Sequence, residues 1–232
     1  MTTDISTLAP TIPLAGRADQ ELGVRAYNHI KDDILRCVLA PGTDLTEAQL
    51  SEQYDFGKGP IRSALLRLRH EGLILSERRR GYRVADITLT DVQNVFQLRL
   101  LLEPEAARLA AGRLSDTMVA RLRQACDVID DPNGAADHSN FLRANRDFHV
   151  GIAEASGNAR LAHLIAGLLD DVHRILHLGL SEQPKGDDFQ SEHLELLELL
   201  MVNQADEAAN LVRQQIEGGL AMVMKSFLNR TV

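Results

Sequence analysis

No stretch of this sequence approaches the ~20 consecutive apolar residues that span a bilayer. Met1 to Gly16 has no basic segment followed by an apolar run, so no secretory leader is expected there. Cysteine is scarce. Cys37 and Cys126 are the only two, too few for a disulfide framework, and they point to a reducing compartment. Catalytic signatures are missing too: there is no phosphate-binding glycine loop, dinucleotide fingerprint or nucleophile elbow. These absences predict a soluble cytoplasmic protein with no membrane partner and no enzymatic activity.

The 232 residues leave room for one large or two modest domains, and 44% hydrophobic residues are enough for a core in each half. A net charge of −8 argues at first against a nucleic-acid partner. The charge is uneven, however. Between Gly57 and Arg83 lie eight basic residues (Lys58, Arg62, Arg67, Arg69, Arg78, Arg79, Arg80, Arg83) and two acidic ones (Glu71, Glu77), a local +6 that leaves −14 for the rest. Distant charges are screened beyond about 8 Å at physiological salt, so such a patch still attracts phosphate. A solvated basic face is the alternative.

Residues 1–20 have no hydrophobic period and read as a disordered arm. Helical periodicity begins near Val24, with Tyr27, Ile30, Ile34, Leu35 and Val38 on one stripe, and Pro41-Gly42 turns the chain. Thr46 with Gln49 three residues on, and Leu45 against Leu50, mark the start of a second helix. A glycine-containing break at Asp55–Gly59 leads to a third helix. Its apolar face is Ile61, Leu65 and Leu68, its basic face Lys58, Arg62 and Arg69, and Gly72 ends it. Leu73-Ile74-Leu75 and Tyr82-Arg83-Val84 flank Arg78-Arg79-Arg80-Gly81 as a hairpin. That order is a winged helix-turn-helix over residues 21–88. Residues 89–232 read as an antiparallel all-α bundle of six or seven helices. The six identified span about 91–112, 116–130, 137–156, 159–179, 188–203 and 205–228. Thr90 with Gln93 is expected to cap the first, and Pro104 to kink it.

Several segments resemble a known family. Pro41-Gly42-Thr43-Asp44-Leu45-Thr46-Glu47, Pro60-Ile61-Arg62-Ser63-Ala64-Leu65, Glu71-Gly72-Leu73 and Gly81-Tyr82-Arg83-Val84 resemble the DNA-binding domain of the GntR family. Arg99-Leu100-Leu101-Leu102-Glu103, Phe148-His149, Glu154-Ala155-Ser156-Gly157-Asn158 and Glu192-His193 look like the FCD sensor domain of its FadR-like subfamily. The resemblance implies a homodimeric transcription regulator on a palindromic double-stranded operator, with repression as the expected sign.

Recognition helices present N-terminal side chains to base edges. Lys58, Gly59 and Arg62 hold those positions, and Lys58 stands where the family usually has an arginine. Arg67 and Arg69 are either further DNA contacts or an ion-paired face. Arg78, Arg79, Arg80 and Gly81 suit the minor groove or its phosphates. By resemblance, relatives often bind one divalent metal of the zinc or nickel type through an Asp, a His four residues later and two further His. The matching positions are Asn145, His149, His193 and Gln215, two of them changed to neutral amides. The effector set is Arg99, Asn145, His149, Arg174, His193 and Gln215, suited to a small anionic metabolite such as a carboxylate. For Arg99 a structural pair with Glu103 at i+4 is the alternative, and for the two histidines internal hydrogen bonds are. His173 and His177 read as core or pocket lining. The competing function is a helical-bundle metalloenzyme, but the paired Glu-x-x-His segments of di-iron bundles are missing.

Replacing Arg78, Arg79 and Arg80 together should weaken binding to every DNA sequence. It should also flatten the log–log salt dependence by about 0.9 per lost phosphate contact. Titrations at several salt concentrations check this; an unchanged slope would mean that the segment does not touch the backbone.

Overall fold

The computed structural model describes residues 14–77, 81–129, 138–179 and 186–229. Arg78, Arg79 and Arg80 lie outside the described residues. The chain divides into two compact units. The first comprises the described residues up to Ile34 together with Leu39–Ala85, the second Leu35–Val38 and the described residues from Asp86 on.

The first unit runs α1 (Leu14–Leu35), β1 (Asp44–Leu45), α2 (Glu47–Tyr54), α3 (Lys58–His70), β2 (Ile74–Glu77) and β3 (Gly81–Val84). Helix α1 begins at Leu14, well before Val24, so residues 14–20 are helical rather than part of an unstructured arm. Its stripe buries Tyr27, Ile30 and Ile34, whereas Val38 lies beyond the helix and is exposed. Thr46 caps α2 as expected, accepting from the Gln49 amide at 3.2 Å. Helix α3 starts at Gly57, which supplies no side-chain cap, and turns Ile61, Ala64, Leu65 and Leu68 inward. These meet Leu50, Leu73, Ile74 and Val84, all fully or almost fully buried. Each large aliphatic among them contributes up to about 1.5–3 kcal/mol by leaving water.

The sheet has three strands, not two, in the order β1-β3-β2 and antiparallel throughout. Strand β1 pairs Leu45 with Tyr82. Two residues are too short for an alternating pattern to show in sequence. The strand also explains Gly81. That residue has φ +93°, and a Cβ there would stand 2.6 Å from the Leu45 carbonyl oxygen.

The second unit contains α4 (Leu89–Ala110), α5 (Asp116–Ile129), α6 (His138–Ala155), α7 (Ala159–Gly179), α8 (Gly186–Met201) and α9 (Ala205–Asn229). These match the six expected segments to within a few residues. Helix α4 is central, packing against α6, α7 and α9. Phe96, Leu122, Phe148, Ile152, Leu196, Leu200, Val212 and Ile216 form the main core. The cap of α4 is Thr88 with Asp91, not Thr90 with Gln93. The Asp91 carboxylate accepts from both the Thr88 amide (2.9 Å) and hydroxyl (2.6 Å), and a charged acceptor at a helix N-terminus outcompetes a neutral amide. Pro104 is buried inside α4, which continues to Ala110. Among the described residues no helix is long and apolar enough to cross a membrane.

Gly81→Ala should cost roughly 1–3 kcal/mol by forcing a Cβ into a left-handed position against Leu45. Loss of hydrogen-exchange protection at Leu45, Tyr82 and Arg83, with the second unit unaffected, is the expected signature; unchanged protection would refute it.

Candidate functional site

Two sites follow, one in each unit. In the first, Lys58, Gly59 and Arg62 lie exposed on the first turns of α3. The helix start leaves unpaired amides and a partial positive charge at the same end. Arg62 is held rather than loose. Its Nε and Nη2 donate to the two carboxylate oxygens of Glu47, the first residue of α2, at 3.0 and 2.8 Å. The hydrogen bond from Arg62 lowers the Glu47 pKa, with further attraction from Arg62 and Lys58. Glu47 thus pairs with one expected base reader, Arg62, and feels the charge of the other, Lys58. Fifteen residues separate Glu47 from Arg62, and no periodicity links them; only the packing of α2 on α3 reveals the pair.

The other basic residues divide. Arg67 is committed internally: its Nε donates to Glu71 at 3.1 Å and its guanidinium lies 3.7 Å from the Tyr27 ring centre. Lys31 and the Tyr27 hydroxyl bind the same Glu71 carboxylate, at 2.9 and 2.8 Å. This network ties α1 to the end of α3, so for Arg67 the ion-paired reading describes the geometry. Arg69 is exposed, with its Nη1 3.5 Å from Ser76 Oγ.

In the second unit, α4, α6 and α8 bring Arg99, Glu103, Asn145, His149 and His193 together. Arg99 is buried and its Nε donates to Glu103 at 2.5 Å, which is the structural i, i+4 pair weighed from sequence. The guanidinium also lies 5.0 Å from the Phe96 ring centre. His149 Nδ1 stands 3.4 Å from Glu103 Oε2, and its ring centre is 5.3 Å from that of His193. His193 Nε2 donates to Asn145 Oδ1 at 3.1 Å. Phe148 closes one side, 4.5 Å from the His193 ring. Gln215 on α9 donates to the carbonyl of Glu192, the residue before His193, at 3.1 Å. Its buried Oε1 has no hydrogen-bond partner among the described residues. Burial, then the neighbouring charges of His193 and Arg99, hold the His149 pKa well below that of an ordinary histidine. His149 is therefore neutral at physiological pH.

Arg174 is almost fully buried on α7. Burial pulls its pKa down; Asp171 opposes this first, followed by Cys37, Asp86 and Asp91. His173 is buried and His177 half-buried, while His163 is exposed. The positions matched to the metal set lie close together: His193 bonds to Asn145, His149 is beside His193, and Gln215 reaches the carbonyl of Glu192. Among the described residues no three His, Cys, Asp or Glu converge on a metal-sized site. The donors at hand are two histidines and two amides, and His193 Nε2 is already bonded to Asn145. That set suits a neutral hydrogen-bonding pocket better than zinc or nickel.

Comparison with known proteins places both units. The FCD domain matches residues 94–218, and the gntR family of bacterial regulatory proteins matches residues 22–84. The chain is 23% identical over 198 residues to the HTH-type transcriptional repressor RspR of Escherichia coli K12, covering 85% of this chain and 87% of that one. It is 26% identical over 199 residues to the repressor GlaR of the same strain, covering 82% and 90%. Among solved structures, a GntR regulator from Rhodococcus sp. RHA1 superposes with a TM-score of 0.75 at 19% identity, covering 88% of this chain and 98% of that one. Escherichia coli McbR/YncC gives 0.75 at 21% identity, covering 89% and 98%. These neighbours establish the fold: a winged helix-turn-helix and a helical domain. They give the metalloenzyme alternative no support.

Glu103→Ala should cost roughly 3–5 kcal/mol, because it strands a buried guanidinium. The double variant Arg99→Met/Glu103→Leu should recover most of that loss in urea unfolding. A double variant as unstable as the single one would show that the charge pair does not set the cost.

Proposed function

We propose, for a chain that belongs to the GntR family of bacterial regulatory proteins and carries an FCD domain, that it is a homodimeric repressor released from a palindromic operator by a small carboxylate metabolite. DNA reading is assigned to residues 21–88 and sensing to residues 89–232. The observation that carries the first part is the exposed row Lys58, Gly59, Arg62 at the glycine-capped start of α3. Arginine there can take guanine O6 and N7 together, worth roughly 1–3 kcal/mol of discrimination. Lys58 lacks the planar fork and specifies less sharply. Arg69, Gly81 and the Arg78, Arg79, Arg80 segment are assigned to the phosphate backbone, while Arg67 supports α3 from within. Repression is inferred from RspR and GlaR, two similar proteins that are transcriptional repressors.

The effector site is assigned to Asn145, His149, His193 and Gln215, with Arg99 beneath them. A carboxylate there can accept from the imidazoles and amides, and a ligand hydroxyl can donate to Gln215 Oε1. Arg174 is given a structural part by its aspartate neighbours. A metal is not needed in this reading, since neutral amides fill two of the four positions. The dimer face is assigned to α4 and α7, packed together through Ala106, Ala162, Ile165 and Leu169. Leu98, Leu101 and Leu164 on these two helices are 46%, 66% and 56% exposed, apolar side chains that a second copy could cover. Effector and operator are coupled only by the ligand's differential affinity for the two states. A tenfold change in operator affinity therefore needs about 1.4 kcal/mol of coupling.

A panel of small carboxylates, screened for a rise in melting temperature, should yield a ligand that shifts operator binding. His149→Ala should abolish that shift while leaving ligand-free operator binding intact; an equal response in both proteins would place the pocket elsewhere. Chelator treatment should leave the response unchanged, and loss restored by zinc would overturn the metal-free site. The same samples should sediment at twice the 25.6 kDa chain mass.

A further inference from the structure

Arg62 is paired through one edge only. Its Nε and Nη2 face Glu47 at 3.0 and 2.8 Å, two parallel charge-assisted bonds that fix the guanidinium plane. The opposite edge, Nη1 with the second hydrogen of Nη2, has no hydrogen-bond partner among the described residues, and the Arg62 side chain is 62% exposed. Glu47 is anchored more firmly. Its side chain is 27% exposed, and it opens α2 directly after Thr46, whose hydroxyl donates to Gln49 Oε1 at 2.7 Å and accepts from the Gln49 amide. A rigid helix start thus holds a carboxylate that holds a long, otherwise mobile side chain. Lys58, on the same helix turn as Arg62, contributes attraction to the same carboxylate.

We infer that Glu47 is a positioning residue for sequence recognition: it locks Arg62 so that the free Nη1–Nη2 edge is presented to a guanine in the major groove. This rests on the assignment of Arg62 to base reading. The device has a cost. A carboxylate at the DNA-facing surface repels phosphates, so Glu47 weakens binding to DNA of any sequence while sharpening the choice among sequences. A long arginine loses substantial rotamer freedom on binding a base, and a carboxylate that fixes it beforehand moves that loss into folding. The two effects have opposite signs, which separates positioning from simple charge or simple structure.

The test uses the full-length protein and two duplexes: one selected by it from a randomised pool, and one scrambled duplex of the same length. The quantity read is the ratio of the two affinities at fixed salt. Arg62→Ala should lower the ratio roughly tenfold or more. Glu47→Gln keeps the shape and removes the charge. It should lower the ratio several-fold while raising affinity for the scrambled duplex. Glu47→Asp keeps the charge but shortens the arm, so it should lower the ratio without that rise. If Arg62→Ala lowers the ratio and Glu47→Gln leaves it unchanged, Arg62 reads bases and the positioning role is overturned. If Arg62→Ala itself leaves the ratio unchanged, the base-reading assignment fails and the inference fails with it. A parallel fall in both affinities together with the melting temperature would make Glu47 structural and would also overturn it.

Discussion

A guanidinium buried in a helical bundle must have a carboxylate, and that requirement organises the second unit around Arg99 and Glu103. The pair stands within one turn of α4, the helix against which α6, α7 and α9 pack. Desolvating two charges is expensive, and their attraction offsets the loss only where the geometry is tight. A separation of 2.5 Å with Phe96 alongside meets that condition. The consequence reaches the neighbouring groups. Because Arg99 is paired with Glu103, it adds no unmatched cation beside Asn145, His149 and His193. In the proposed effector site, recognition then rests on directed hydrogen bonds.

That correction bears on what sequence can reveal. An arginine four residues before a glutamate on a predicted helix allows two readings, ligand clamp or internal pair. Nothing in the spacing chooses between them; burial does. The approach of His149 to His193 was legible only through resemblance, because residues 44 apart on α6 and α8 share no local pattern. Local signals fared better where one interaction dominates. Thr46 with Gln49 marked the start of α2 correctly. Thr88 and Thr90 each have an acceptor three residues on, and the pattern alone could not tell which would win. The charged Asp91 decided it by accepting twice. The fold's class was readable because the apolar stripes of α3 and of the six later helices are strongly periodic, while β1 is two residues long and has no period.

The basic surface of α3 shows why counting basic residues misleads. Arg62 and Arg67 lie on one short helix with similar exposure, and composition treats them alike. Arg67 is spent on Glu71 and Tyr27, within a network that also engages Lys31 and so fixes α1 against α3. Arg62 is bound on one edge and open on the other. The local +6 therefore overstates the charge available to phosphate, and the position of each carboxylate decides which cations remain for DNA.

The two arginine–carboxylate pairs, Arg62 with Glu47 and Arg99 with Glu103, share a chemistry and differ in solvent. An exposed pair is worth about 0–1 kcal/mol because water competes for both charges. A base edge or phosphate can therefore reorganise it at little cost, and a pair of this strength can orient a side chain without trapping it. The same two groups in the bundle interior, each less than a tenth exposed, cannot exchange partners so easily, since removing one leaves the other's desolvation uncompensated. Burial thus leaves one pair open at low cost to an incoming group and makes the other a fixed strut. In the proposed sensor, the groups that respond to a ligand are then the neutral ones around the strut, His149, Asn145 and Gln215, whose hydrogen bonds can be traded for those of a ligand without exposing a bare charge.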